Sequence, residues 1–228
     1  MKIKNPFAAL CERERILWTV SLIAVTASFV LSSAQDWLTL IASLIGVTAL
    51  IFVAKGYVIG QILTVVFAVF YGIISYWFQY YGEMITYLGM TSPIAIASVV
   101  TWLRNPYRNT AEVKVHQMTK KQTVIMLLLS LLKTVLFYFI LKALNTANLV
   151  FSTVSVTTSF LASYLTMMRS EWYAAAYAAN DVVLIVLWVL ATLENVSYFP
   201  MIVCFVMFLF NDLYGFWNWQ RMKQRQSQ

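Results

Sequence analysis

The stretch YFPMIVCFVMFLFNDLYGFWNWQRM, residues 198–222, decides the class of this protein, because a long apolar run continues into a polar and aromatic segment without a break. An apolar run of this length predicts a helix that crosses a membrane. Over the 228 residues, 61% are hydrophobic and 11% are charged, whereas soluble domains carry about 25% charged residues. The composition therefore predicts an all-α, polytopic membrane protein.

Eight segments of the chain are long and apolar enough to be transmembrane helices. They are predicted at residues 16–35, 37–54, 57–81, 84–103, 123–144, 149–168, 172–193 and 197–217.

Lysine and arginine divide the connecting segments between the two sides of the membrane. If the N-terminus is cytoplasmic, 14 of the 16 basic residues lie in the cytoplasm: Lys2, Lys4, Arg13, Arg15, Lys55, Arg104, Arg108, Lys114, Lys120, Lys121, Arg169, Arg221, Lys223 and Arg225. The other side holds Lys142 and the acidic loop residues Asp36, Glu83 and Glu194. The positive-inside rule then predicts a multi-pass protein of the inner (plasma) membrane with both termini in the cytoplasm. The net charge of +7 fits anionic lipid headgroups, and no nucleic acid partner is expected.

The long polar connection at residues 104–122 divides the chain into two similar parts. A step of four spans preserves direction, so two three-helix bundles on either side of it would be parallel repeats, as in one class of transporters. Trp102 and Trp219 end the third helix of each bundle, and a proline, Pro93 or Pro200, is predicted to interrupt it. The predicted organisation is an N-terminal tail and extra helix (1–36), a first bundle (37–103), a loop and linker helix (104–148), a second bundle (149–217) and a tail (218–228).

Motifs of common enzymes and metal sites are missing from the sequence. There is no GxxxxGK[ST] phosphate loop, HExxH pair or GxSxG elbow. The two cysteines have no metal-ligand spacing, and His116 is the only histidine. We therefore predict no catalytic residue, no metal site and no cofactor.

Ionisable residues inside predicted spans are the most informative polar signal, because such residues are rare and usually functional. They are Lys133, Asp181 and Asp212, and each aspartate follows an asparagine, Asn180 or Asn211. Lys133 either neutralises one of the aspartates or has a direct role, and the sequence leaves both interpretations open.

At helical spacing, the seventh span presents Tyr173, Tyr177 and Asn180 on one stripe, with Trp188 at its edge. In the last span Asn211 and Tyr214 share one face, and Asp212, Gly215 and Trp219 share the neighbouring face. Amides, carboxylates and aromatic rings directed to a common interior favour a flat aromatic ligand with hydroxyl groups, above all a cationic one.

Other polar residues have simpler interpretations. A stripe of Ser152, Ser155, Ser159, Ser163 and Thr166 on the sixth span is more typical of close helix packing than of substrate binding. In the first bundle, Gln61, Tyr71 and Gln79 are candidate contacts without a distinguishing pattern.

Three elements resemble the PnuC-type vitamin transporters, whose best-known members carry nicotinamide riboside. They are YYGEMITYLGMTSPIAIASVVTW at 80–102, RSEW at 169–172 and NDLYGFWNW at 211–219, within a resemblance that spans about residues 37 to 222. The resemblance implies two three-helix bundles and a linker helix, similar to SWEET sugar carriers, in a homotrimer. It also implies facilitated diffusion of nicotinamide riboside, which a separate kinase traps in the cytoplasm, without direct use of ATP.

One departure concerns the start of the seventh span, where the family typically has Glu-x-Trp-x-x-Trp with a ligand-binding tryptophan pair. Glu171 and Trp172 are present, but Tyr173 and Ala176 stand at the tryptophan positions, and Tyr177 is our candidate for the second ring. Thiamine and riboflavin, carried by related branches, are therefore alternatives. The complete predicted binding set is Trp172, Tyr173, Tyr177, Asn180, Asp181, Trp188, Asn211, Asp212 and Tyr214.

Two alternatives belong to other functional classes. An intramembrane aspartyl hydrolase would use Asp181 and Asp212 as a proton-sharing pair, but the GxGD element of such proteases is missing. A non-catalytic membrane scaffold gives no reason for polar pairs in two separate spans.

Overall fold

A computed structural model describes residues 5–32, 37–77, 81–108 and 110–228, without the side chain of Tyr81. The predictions for Lys2, Lys4, Asp36 and Gln79 concern positions outside the described residues.

The described part of the chain is almost entirely helical. Its helices are α1 (Glu12–Leu31), α2 (Trp37–Ala54), α3 (Val58–Trp77), α4 (Tyr81–Thr86), α5 (Ser92–Leu103), α6 (Lys120–Ala143), α7 (Leu149–Met167), α8 (Tyr173–Glu194) and α9 (Phe199–Gln226). A π-helical turn, Tyr87–Thr91, joins α4 to α5, so that these three pieces form one span. Within the described residues, 8 helical segments are long and apolar enough to cross a membrane. The predicted all-α fold with eight spans is confirmed.

The two prolines lie at helix starts. Pro93 is in the first turn of α5, directly after the π-helical turn that interrupts the fourth span. Pro200 is in the first turn of α9, where the missing N–H is not needed for the helix. The prediction that Pro200 interrupts the last helix is therefore wrong. Helix α9 also continues to Gln226, so most of the predicted 218–228 tail is helical.

The spans pack as two units with matching contacts. In the first unit α3 packs on α2 and α5, and in the second α8 packs on α7 and α9. Between the units, α2 contacts α9 and α5 contacts α7, so the first helix of each unit packs on the third helix of the other. This is the arrangement that a two-fold axis along the membrane normal produces. Helix α1 packs on α2 and α9, and α6 packs on α7.

The same relation holds for individual hydrogen bonds. Trp219 Nε1 of α9 donates to the Val53 carbonyl of α2 at 3.0 Å. Trp102 Nε1 of α5 donates to the Thr166 carbonyl of α7 at 2.9 Å. The two indole rings lie 5.4 Å apart. Each unit thus contributes one tryptophan that ties its third helix to the first helix of the other.

We call one end of the molecule the basic face. It holds the α2–α3 turn, residues 104–108 and 110–119, the α7–α8 turn and the end of α9. The two turns are alike: Gly56 and Arg169 both have positive φ, +70° and +58°, as helix C-termini often do. The loop joins them, because the Val113 N–H donates to the Gly56 carbonyl and the His116 N–H to the Arg169 carbonyl, each at 2.9 Å.

Candidate functional site

A cavity of about 70 Å³ lies between the two units, at the middle of the spans. The first unit contributes apolar side chains such as Leu50 and Phe67 to its wall, together with polar ones such as Gln61. The second unit contributes polar ones, including Ser163, Tyr177 and Asn180. We call this space the central cavity.

Hydroxyl groups of α7 fix the side chain of Asn180. Its Oδ1 accepts from Thr158 Oγ1 at 2.8 Å and Ser159 Oγ at 3.2 Å, with Ser155 Oγ at 3.5 Å. Asn180 is 4% exposed. These donors fix the orientation of the amide, and its Nδ2 makes no hydrogen bond to another described residue. An amide held in this way is prepared to donate to a ligand hydroxyl.

Asp181 of α8 and Asp212 of α9 lie side by side in the wall of the central cavity, within hydrogen-bonding reach of each other. Both are buried. Asp181 Oδ2 has no hydrogen-bond partner, and neither aspartate belongs to an ion pair among the described residues. Two adjacent carboxyls can share a proton; in that state the pair carries one negative charge, which no ion pair among the described residues compensates.

Aromatic rings form the opposite wall. Phe67 contacts Tyr87 and Phe208 with ring centroids 6.0 and 5.9 Å apart. Tyr71 lies 4.5 Å from Tyr87. Of these, Phe67, Tyr87 and Phe208 line the central cavity. Tyr177 and Phe205 of the second unit also line it, so both units contribute rings. Phe67, Tyr87, Phe205 and Phe208 were not predicted from the sequence.

A second space of about 340 Å³, the outer cavity, lies on the side away from the basic face. Tyr87, Ser159 and Leu184 line both cavities, so the outer cavity leads into the central one. Glu83 lines the outer cavity and accepts a hydrogen bond from Tyr71. The prediction that Glu83 lies in an outer loop is wrong: it is in the first turn of α4, because the fourth span begins before the apolar run.

Toward the basic face the passage is closed by large buried side chains. Tyr173, Trp219 and Trp102 are at most 1% exposed, and the Tyr173 ring packs on Trp219 at 4.8 Å. Beyond them, Lys223 of α9 pairs with Glu171 at 2.6 Å. We call these residues the closed end of the passage.

The structure brings together four of the predicted binding residues at the central cavity: Tyr177, Asn180, Asp181 and Asp212. Trp188 lines the outer cavity, and Tyr173 lies in the closed end. Trp172 is 55% exposed and packs on Phe216. The prediction that Trp172 reaches the ligand pocket therefore disagrees with its position, because this residue precedes α8 and lies on the molecule's outer surface.

The remaining two predicted residues, Asn211 and Tyr214, face α1 and do not reach the central cavity. Asn211 Nδ2 donates to Ser21 Oγ at 3.0 Å, and the Tyr214 hydroxyl donates to Glu14 Oε1 at 3.0 Å. The prediction that they contribute to the ligand pocket disagrees with these positions, because this face of α9 packs on α1.

The serine stripe of α7 lies on the passage. Ser152, Ser155 and Ser159 line the outer cavity, and Ser163 Oγ bonds the Tyr177 hydroxyl at 3.2 Å. The stripe therefore orients the side chains of Asn180 and Tyr177 and is more than a packing surface.

Lys133 does not compensate the aspartates. Its Nζ lies 5.9 Å from the Phe137 ring centroid on its own helix, and that helix packs on α7. Within the described part of the chain there is also no group of three or more histidine, cysteine or acidic residues that could hold a metal ion.

Comparisons of sequence and structure identify proteins that are similar to this chain. The family model described as nicotinamide mononucleotide transporter matches residues 36–221. A nicotinamide riboside transporter PnuC of Neisseria mucosa is 26% identical over 216 residues, which is 92% of this chain and 82% of that protein. One of Haemophilus influenzae is 20% identical over 226 residues, 98% of this chain and 97% of the relative. A crystal structure of the vitamin B3 transporter PnuC superposes with a TM-score of 0.82 at 26% identity, covering 95% of this chain and 94% of that one.

Proposed function

The chain belongs to the nicotinamide mononucleotide transporter family, and we propose that it carries nicotinamide riboside across the membrane by facilitated diffusion. The observation that carries the proposal is the Asp181–Asp212 pair, two buried carboxyls without a basic partner among the described residues. A pyridinium ring supplies the missing positive charge, and Phe67 and Tyr87 supply surfaces on which it can stack. The Asn180 amide would bond the ribose hydroxyls.

The charges favour the riboside over the mononucleotide. A mononucleotide carries a phosphate, which needs cationic or N–H donor groups. Among the described residues, neither cavity has a lysine or arginine in its wall, while Glu83, Asp181 and Asp212 contribute carboxyls. A phosphate group on the substrate would therefore meet three carboxyls and no cation.

Ligand pockets usually have volumes of roughly 300 to 1,000 Å³. The central cavity is smaller than this, whereas the outer cavity lies within the range. Substrate would enter through the outer cavity past Glu83 and Tyr87, and the two units would then separate at the closed end. We place the basic face in the cytoplasm of a bacterial inner-membrane protein, because basic residues concentrate there. Phosphorylation of the riboside in the cytoplasm would prevent its return, so the carrier needs neither ATP nor an ion gradient.

We further propose a homotrimer, with α6 at the contact between copies. This helix packs on α7 alone among the major helix contacts and exposes a row of large apolar side chains, including Leu128, Leu132 and Phe139. Light scattering of the purified protein, corrected for detergent, would give three copies; a monomer would exclude this part of the proposal.

The Asp181–Asp212 pair also has the geometry that the hydrolase alternative requires. Membership in a family of transporters favours transport, and the rings and amide beside the pair suit reversible binding of an aromatic cation.

The test is counterflow in proteoliposomes without ATP or an ion gradient. Vesicles loaded with unlabelled nicotinamide riboside should take up the labelled compound, and nicotinamide mononucleotide, thiamine and riboflavin should compete poorly. Asn180→Ala should reduce uptake about tenfold, the value of roughly one good hydrogen bond. Asn195→Ala, a change of the same type at the exposed end of α8, is the matched control. Absence of counterflow with the riboside, or equal losses in both variants, would exclude the proposed substrate or site.

A further inference from the structure

A third cavity, of about 590 Å³, opens at the basic face between α1, the α2–α3 turn, the 110–112 segment and the end of α9. Four basic residues line it: Arg13, Lys55, Arg221 and Arg225. It lies apart from the central and outer cavities, and none of its lining residues belongs to either. We call it the basic cavity.

Two of the four cations are compensated by acidic residues of the same wall. Lys55 pairs with Glu14 at 2.9 Å, and Arg225 pairs with Glu112. Lys55 and Glu14 are largely buried, with 15% and 3% side-chain exposure. Their pair joins α1 to the α2–α3 turn, and the other joins α9 to the loop, so the cavity wall is built from buried as well as surface groups.

The other two cations, Arg13 and Arg221, have no ion-pair partner among the described residues. Arg13 lies in the first turn of α1, where a positive charge opposes the helix dipole and does not stabilise the helix. Arg221 stacks over the Trp217 ring at 4.4 Å. Stacking uses the face of a guanidinium and leaves the in-plane N–H donors free for a ligand. The cavity therefore carries an excess of two positive charges.

We propose that the basic cavity binds a phosphate group, with Arg13 and Arg221 as its main ligands. Guanidinium groups match the oxygens of phosphate in charge and hydrogen-bond geometry, and two uncompensated arginines can neutralise either a phosphate monoester or the single charge of a lipid phosphodiester. Trp217 is 42% exposed near the polar end of the last span, as in aromatic belts at the membrane surface. The phosphate can therefore belong to an anionic lipid headgroup or to a soluble phosphate ester. In either case it would join α1 to α9 at this face.

The test compares two probes on the full-length protein in a neutral detergent. Glycerol 3-phosphate represents a soluble ester and phosphatidylglycerol in mixed micelles a lipid, and each is titrated by calorimetry. The variant Arg13→Ala/Arg221→Ala should weaken binding at least tenfold. Lys120→Ala/Lys121→Ala removes the same charge from exposed positions at the start of α6 and should leave binding within twofold.

Saturable binding of glycerol 3-phosphate would identify a site for soluble esters, and binding of phosphatidylglycerol alone a lipid site. Equal losses in the two double variants would show attraction to general positive charge and overturn the proposal, as would no saturable binding of either probe. Counterflow of nicotinamide riboside by the arginine variant shows that it is folded, because neither arginine lines the transport cavities.

Discussion

The charge of the Asp181–Asp212 pair gives the sharpest prediction. If the two carboxyls share one proton, the pair carries a single negative charge. Opposite unit charges about 5 Å apart attract by roughly 3 kcal/mol at an effective dielectric constant of about 20. Desolvation offsets part of this, so we expect about 1.5 to 3 kcal/mol. Replacing both residues by asparagine should therefore weaken binding of cationic nicotinamide riboside about tenfold to 150-fold.

The reduced, dihydro form of the riboside is the matched ligand, since it has nearly the same shape without the ring charge. Its affinity for the Asp181→Asn/Asp212→Asn variant should change less than about threefold, because only the Coulomb attraction is removed. Calorimetry with both ligands on parent and variant measures the difference directly. Retained binding of the dihydro form also shows that the variant is folded.

The single variants test the shared proton itself. With Asp181→Asn, the new amide can donate to Asp212, which then keeps a full negative charge. The reverse holds for Asp212→Asn. Each single variant should thus bind the cation within about threefold of the parent. A large loss in either single variant, or equal losses of both ligands in the double variant, would refute the reasoning.

Three further predictions concern packing and the limits of the site. Gly60→Ala would place a Cβ 2.4 Å from the Val53 nitrogen, a backbone atom that cannot move aside, so it should lower the free energy of unfolding by more than about 2 kcal/mol. In Gly89→Ala the nearest atom would be 3.9 Å away, so this control variant should have the melting temperature of the parent. Thermal unfolding in detergent compares the two variants. Asn211→Ala should lower the melting temperature slightly, at about 0.6 kcal/mol for an average hydrogen bond in a membrane protein, with riboside affinity unchanged by calorimetry. Trp188→Ala should weaken riboside affinity about two- to tenfold through lost ring contact, whereas Trp172→Ala should leave it unchanged. The opposite order would indicate that Trp172 contacts the ligand.

The eight spans could be predicted because lipid imposes length and hydrophobicity on every segment. Asn180, Asp181 and Asp212 were visible for the related reason that polar groups stand out in apolar helices. Phe67 and Tyr87 were not, because rings in a membrane protein also pack against lipid and one another. Their role follows from a contact between α3 and the π-helical turn, which no local pattern encodes.

Asn211 and Tyr214 illustrate a second limit. Helical periodicity correctly separated their face of α9 from the face with Asp212, but it does not say which face borders the passage. That depends on α1, which packs on α9 from the far end of the chain. The Glu14 carboxylate of α1 accepts hydrogen bonds from both Lys55 and Tyr214.

The two units pack symmetrically, but they line the central cavity with different side chains. Equivalent wall positions of the central cavity, at equal separation along the chain, are Gly46 and Ser159, Leu50 and Ser163, Thr64 and Tyr177, and Phe67 and Asn180. In three of these pairs the first unit lacks the polar side chain. At Gly46 the reason is steric, since a Cβ would lie 2.6 Å from the Phe208 ring. At these equivalent positions the second unit therefore offers more hydrogen-bonding groups, whereas the first unit offers the Phe67 ring. Ring contacts are weakly directional, so Phe67 and Tyr87 of the first unit can shift against a bound substrate while its hydrogen bonds to the second unit stay intact. We infer that the bonds broken when access changes are those between the units, such as Trp219 to Val53, and that substrate recognition persists through the transition.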